Sequence, residues 1–227
     1  MEDLKLYEQF QDLCLSFPSL SLQKHGEAVW YVRGILRFSR AYLKQSIEDE
    51  YSVEMLILQG YPLVLPKIFE SGGRIPRDFH QYQDGALCLG APLAIKQKFR
   101  KQPTLFGFVE GCVIPYLYSY SYKCKFGKMP FGELSHGGKG ILEYYQDVFS
   151  VRDPRRLLRF LQILADGIYD GHARCPCGSG KRLRSCHGQI LFELMLLQTP
   201  AEFHAEEDMI RNYLISMAFK RLNHSMI

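Results

Sequence analysis

The chain has 227 residues, 47% of them hydrophobic and 13% aromatic, with 28 Lys and Arg against 24 Asp and Glu for a formal net charge of +4. This is too apolar for a disordered protein and long enough for a main domain of about 150 residues plus a smaller module, which excludes a disulfide-stapled miniprotein. The slight basic excess lacks the electrostatic footprint of a nucleic-acid-binding protein, so no direct nucleic-acid partner is expected.

From Leu4 to Phe17, the residues Leu6, Phe10, Leu13, Cys14 and Phe17 recur at helical spacing and predict an amphipathic helix. Strands are expected over Leu20 to Lys24, Ala28 to Phe38 and Tyr51 to Leu58. In the second, Trp30, Val32, Leu36 and Phe38 alternate with Tyr31, Arg33, Ile35 and Arg37. Such alternation predicts an antiparallel meander with one face on a helix. Leu63 to Phe69 is interrupted by Pro66, which confines it to an edge strand or an extended loop. Ser71 to Pro92 is rich in Gly, Pro, Asp and Gln, an irregular stretch of the length usually kept for function. Beyond it Val109, Cys112, Val113, Tyr116, Leu117 and Tyr120 form a helical stripe, with Pro115 placed to kink it. A helix follows over Ile141 to Phe149. Asp153 then caps a helix opened by Pro154 and running to about Ala165, and two more helices cover Ile190 to Gln198 and Ala201 to Arg221. The expected boundary lies near Ser150, between an α+β domain (1–150) and a helical tail (151–227).

The start of the chain has no basic segment leading into an apolar run, and no stretch approaches the roughly 18 uncharged apolar residues of a membrane span. The expectation is a cytoplasmic protein without a membrane partner. There, seven cysteines imply thiols, a metal site or a nucleophile rather than disulfides.

Cys175, Cys177, Cys186 and His187 put three thiolates and an imidazole within thirteen residues, the donor set of a closed, structural zinc site. Gly178-Ser179-Gly180 lets the chain turn between the ligand pairs. Gly180-Lys181 is no phosphate-binding loop, because Cys175 and Arg182 stand where that motif needs Gly and Ser or Thr. Over residues 174–188 the cluster resembles the SEC-C zinc motif, which implies zinc and a protein-interaction surface.

A second set of motifs consists of Tyr61-Pro62, Pro66-Lys67-Ile68, His80, and Asp84-Gly85-Ala86-Leu87-Cys88-Leu89. Together with the preceding helix and meander, their order resembles the ubiquitin-conjugating enzyme fold over roughly Met1 to Ser150. The resemblance implies an N-terminal helix, a meander sheet, an active-site loop and C-terminal helices, with Cys88 carrying a thioester. Independently of any family, a thiolate is both a good nucleophile and a good leaving group, so one Cys can accept an acyl group and pass it to an amine. A helix starting at Pro92, with Lys96, Lys98, Arg100 and Lys101 in it, would favour the thiolate. The plainer alternative makes Cys88 a small core residue between Leu87 and Leu89.

His80 matches the His of the family's His-Pro-Asn signature, which implies loop support. The tripeptide here is His80-Gln81-Tyr82, without the Asn credited with the oxyanion. The Tyr82 hydroxyl, a Gln81 or Gln83 amide, or backbone N–H groups would have to replace it. Asp84 either orients the attacking amine or serves as the turn residue before Gly85. Cys14, Cys112 and Cys124 read as packing residues.

With Arg74-Ile75-Pro76-Arg77 and the Cys88 segment, the chain is similar to the prokaryotic branch of the fold, the stand-alone conjugating proteins of type II CBASS antiphage operons. That resemblance implies a thioester with the C-terminus of a cGAS-like nucleotidyltransferase and its transfer to an acceptor protein or small amine. The alternatives are a catalytically inactive module of the same fold and a zinc-dependent interaction adaptor.

Overall fold

A computed structural model describes residues 2–42, 45–130, 135 and 137–224. The chain forms two compact units, Met1–Leu89 with Ile95–Glu133, and Gly90–Ala94 with Leu134–Ile227. Both helix and strand are present, as an α+β chain requires.

In the first unit α1 (Glu2–Ser16) is followed by β1 (Leu20–His25), β2 (Val29–Tyr42), β3 (Gln45–Leu58) and β4 (Lys67–Glu70), an antiparallel meander in the order β1-β2-β3-β4. The apolar stripe of α1 is the buried one, through Leu6, Leu13 and Phe17. Period-2 alternation holds in the strands: Val32, Leu36 and Phe38 of β2 and Ile47, Tyr51, Val53, Met55 and Ile57 of β3 are all buried. β2 and β3 run longer than their apolar residues predict. The ladder continues from Ser39 opposite Glu48 to Tyr42 opposite Gln45, and on the way to it Arg33 faces Glu54 and Arg37 faces Glu50, each at 2.6 Å. Gly34 has φ +147°, and a Cβ there would lie 2.0 Å from the Ser19 carbonyl oxygen. Only glycine lets β1 begin where it does. β4 starts immediately after Pro66 and takes the sheet edge, where the missing N–H does no harm.

Three more helical segments complete the unit: α2 (Pro92–Lys101), whose first turn belongs to the second unit, α3 (Leu105–Phe108) and α4 (Ile114–Phe126). The kink expected from Pro115 takes the form of a π-helical turn, Val109–Val113, leading into α4 with Pro115 in its first turn. Proline cannot donate to the carbonyl one turn back, and a widened turn accommodates that loss. Leu105, Phe108, Val109, Cys112, Val113 and Leu117 are buried in the same core as the sheet residues, and α4 packs on β3.

The stretch after β4 is tied back to the sheet by charge. Glu70 accepts the N–H groups of Gly72 (2.7 Å), Arg74 (2.8 Å) and Ile75 (3.2 Å). Arg74 then grips Asp49 at 2.8 and 3.1 Å, while Ser121 donates to Asp49 at 2.7 Å. Burial opposes ionisation of Asp49, but the hydrogen bonds from Arg74 and Ser121 outweigh it and hold the carboxyl down at about 2. Asp49→Asn is expected to destabilise the protein by about 1–2 kcal/mol, given solvent screening of this partly exposed pair. The folded value lies below the unfolded carboxylate value of about 3.9, so this stability is present above about pH 4 and disappears as pH falls toward 2. Urea melts of the two proteins should differ at neutral pH and converge in acid; a gap that persists there would contradict the assignment.

The second unit has its own core. α5 (Gly137–Phe149), α6 (Pro154–Asp166), a 3₁₀ turn (Leu183–Ser185), α7 (Gly188–Met195) and α8 (Pro200–His224) enclose Tyr145, Phe149, Leu157, Phe160, Leu161, Leu191 and Phe203, each fully buried. Asp153 caps α6, its carboxylate accepting the Arg155 N–H at 2.9 Å behind Pro154, and Gly167 closes the helix with φ +65°. The units divide before α5, whereas the sequence placed the boundary after it at Ser150. The reason is that α5 packs on α6 and α8, burying Tyr145 and Phe149. A helical body with a core of its own therefore stands where a small tail was expected. No described helix is long and apolar enough to cross a membrane.

Candidate functional site

Cys88 sits at the base of a short hairpin. Gln81 faces Leu87 as an antiparallel bridge, flanked by Tyr82 N–H to Ala86 O at 2.8 Å and Cys88 N–H to His80 O at 2.7 Å. The turn Tyr82–Gly85 is closed by Gly85 N–H to Tyr82 O at 2.9 Å, and Gly85 supplies the positive φ of +88°. Leu87 N–H donates to Ile68 O at 2.7 Å, which docks the hairpin on β4. Leu87 and Ala86 are buried, but Cys88 is only partly so.

The other predicted residues fall around this hairpin in different roles. His80 is 7% exposed and has φ +42°, a left-handed conformation uncommon outside glycine, and it reaches Cys88 through its backbone carbonyl. Gln81 spends its amide on the carbonyls of Ile75 (3.1 Å) and Pro76 (3.3 Å), which commits it to the loop rather than to a reacting group. The backbone N–H groups of residues 82 and 85–88 are likewise engaged inside the protein. Tyr82 is 46% exposed, and its N–H binds Ala86 O across the hairpin. Asp84 accepts from Lys67 Nζ at 2.6 Å and from Ala86 N–H at 3.1 Å, which holds its carboxyl below the usual carboxylate range, through Lys67 first, and accounts for it as a turn residue. Among the other cysteines, Cys112 is buried and Cys14 half-buried, as packing residues should be. Cys124 is exposed, a correction to its reading as a packing residue: the C-terminal turns of α4 present it to solvent.

In the second unit the ligand atoms of Cys175, Cys177, Cys186 and His187 all lie within 4.8 Å of one another. His187 Nδ1 is 3.2 Å from both Cys175 Sγ and Cys186 Sγ, and the Cys177 and Cys186 sulfurs are 3.6 Å apart. A metal with bonds of about 2.0–2.3 Å to tetrahedral ligands needs edges of roughly this length. The group can thus hold a metal ion. A bridge between Arg174 and Arg182 brings the two ligand pairs together, with Cys175 N–H bound to Lys181 O at 2.9 Å and Gly178 at φ +84°.

What surrounds the ligands fixes their chemistry. His187 Nε2 donates to the Phe149 carbonyl at 3.0 Å, so the proton sits on Nε2 and Nδ1 is bare for coordination. Arg156 donates to Cys177 O at 2.8 Å. Burial pushes Cys175 up to about 12. It also opposes ionisation of Cys177, but hydrogen bonds from Ser179 prevail and bring that thiol down to about 6. The four ligands were legible from spacing. Phe149 and Arg156 were not, because one contributes a backbone oxygen and the other lies on a different element. Compared with known proteins, the chain matches no family model, no curated protein and no solved structure.

Proposed function

We propose that the chain is a ubiquitin-conjugating-like cysteine acyl transferase of CBASS antiviral defence, with a structural zinc on Cys175, Cys177, Cys186 and His187. The observation that carries the reading is the setting of Cys88: a partly exposed thiol on a hairpin whose own backbone donors are spent on holding it in place. A helix, a four-stranded antiparallel meander, an irregular loop with the Cys, and helices follow one another in the order the ubiquitin-conjugating resemblance implies.

In the proposed reaction Cys88 Sγ attacks the C-terminal carbonyl of a cGAS-like nucleotidyltransferase already activated as a thioester on a separate activating enzyme. The C–S bond to Cys88 forms and the donor sulfur leaves as thiolate. An acceptor amine then attacks the same carbon, Cys88 leaves as thiolate, and the amine gives up its proton to solvent. His80 supports the loop through its backbone, and Tyr82 serves as oxyanion donor in place of the missing Asn. Asp84 belongs to the turn. Zinc, when bound, supplies no reaction step; it ties the two ligand pairs to the helical core.

Intact-mass analysis of the chain co-expressed with the nucleotidyltransferase and its activating enzyme tests this. Wild type should carry a thiol-sensitive adduct, Cys88→Ser an adduct that survives thiols, and Cys88→Ala none. The absent Asn favours the inactive binding module as the second reading, and that reading prevails when wild type forms no adduct and Cys88→Ala still protects cells from phage.

A further inference from the structure

Tyr116 belongs to the apolar stripe of α4, and its ring packs against Phe79 with centroids 5.7 Å apart. Its buried hydroxyl does something the stripe does not require. Its one proton is shared between two successive carbonyl oxygens, Phe79 O at 3.0 Å and His80 O at 3.2 Å. The His80 oxygen is the same one that accepts the Cys88 N–H at 2.7 Å. A carbonyl has two lone pairs, and here one holds the Cys88 backbone while the other holds α4.

We infer that Tyr116 is a positioning residue for Cys88, acting through the His80 carbonyl. This rests on the reading of Cys88 as the reacting thiol. His80 has φ +42°, and a side chain in that region persists only where its surroundings over-determine it. One phenol gathering two neighbouring carbonyls is such a constraint: it keeps the 79–80 peptide turned toward α4 and so fixes the point from which Cys88 hangs. Burial pushes the Tyr116 phenol well above its ordinary range, so the hydroxyl keeps its proton to donate. Removing the hydroxyl leaves the ring packing intact but frees the peptide to relax, and a misplacement of about 1 Å is enough to slow a reaction about a hundredfold.

Tyr116→Phe in the full chain tests the inference, with Tyr118→Phe as the control. Tyr118 lies on the same helix and donates to Gln45 O at 3.1 Å, so its loss is an equivalent hydrogen-bond deletion away from the hairpin. Alkylation by iodoacetamide is followed at Cys88 by peptide mass spectrometry over a range of pH, with the exposed Cys124 of the same molecule as reference. In Tyr116→Phe the Cys88 to Cys124 rate ratio should rise about fivefold, the factor one net hydrogen bond is worth in a local opening equilibrium. Adduct formation should fall by about tenfold or more, and Tyr118→Phe should leave both unchanged. A ratio that is unchanged or lower in Tyr116→Phe, or raised equally in Tyr118→Phe, overturns the inference. If wild type forms no adduct while the alkylation ratio still rises in Tyr116→Phe alone, the transferase reading fails and the hold of Tyr116 on Cys88 stands.

Discussion

Stripping the metal from Cys175, Cys177, Cys186 and His187 is expected to destabilise the whole second unit rather than the knuckle alone. The knuckle is built into the helical core: Cys175 and Leu183 are buried with Leu157, Phe160 and Leu191, and His187 both opens α7 and bonds the last residue of α5. Structural zinc contributes on the order of 10 kcal/mol in isolated finger peptides. Here a preformed apolar core shares the work, so a loss of several kcal/mol is the expected scale. For a unit of this size that lowers the melting temperature by about 10 °C or more. Metal analysis should return one zinc per chain, and after chelation at neutral pH the helical signal should melt at the lower temperature. Cys177→Ser should reproduce the effect. A metal-free protein that melts unchanged would remove the zinc assignment.

Phe160→Ala is expected to be the most damaging single substitution away from the ligands. Phe160 is fully buried, stacks on Phe149 with centroids 4.2 Å apart and planes within 6°, and lies 5.0 Å from the His187 ring. Truncating a buried Phe costs about 3–5 kcal/mol through lost transfer energy and the cavity left behind. The stacked Phe149 also carries the carbonyl that orients His187, so zinc should bind more weakly as well. Competition with a chromogenic chelator measures that affinity, and urea unfolding measures stability. Phe160→Leu, which fills most of the space, should recover much of both. A variant with lowered stability but unaltered zinc affinity would show that packing on Phe149 does not reach the metal.

The contrast between Cys88 and its neighbours shows where sequence reading ends. The alternation in β2 and β3, the stripe of α1 and the Asp153-Pro154 start of α6 are local signals, each carried by a handful of adjacent residues, and the elements form where those signals place them. The polar ends of β2 and β3, Ser39–Tyr42 and Gln45–Glu48, carry no apolar alternation of their own, and only pairing across the sheet makes them strand. Tyr116 read as core because period alone cannot reveal where a hydroxyl points. A buried tyrosine nonetheless needs a partner for its O–H, and that need was the available hint.

By itself, then, the sequence determined the donor set for a metal, the meander, and the presence of one thiol in a Gly-flanked irregular segment. Those depend on residue type and short spacing. Tertiary structure decided that α5 joins the second core, that Gln81 and Asp84 are spent on holding the loop, and that Phe149, Arg156 and Tyr116 stand behind the two sites. Each of these turns on a backbone oxygen or a side chain brought from a distant element, and the position of such a group is set by packing, which no local pattern of residues encodes.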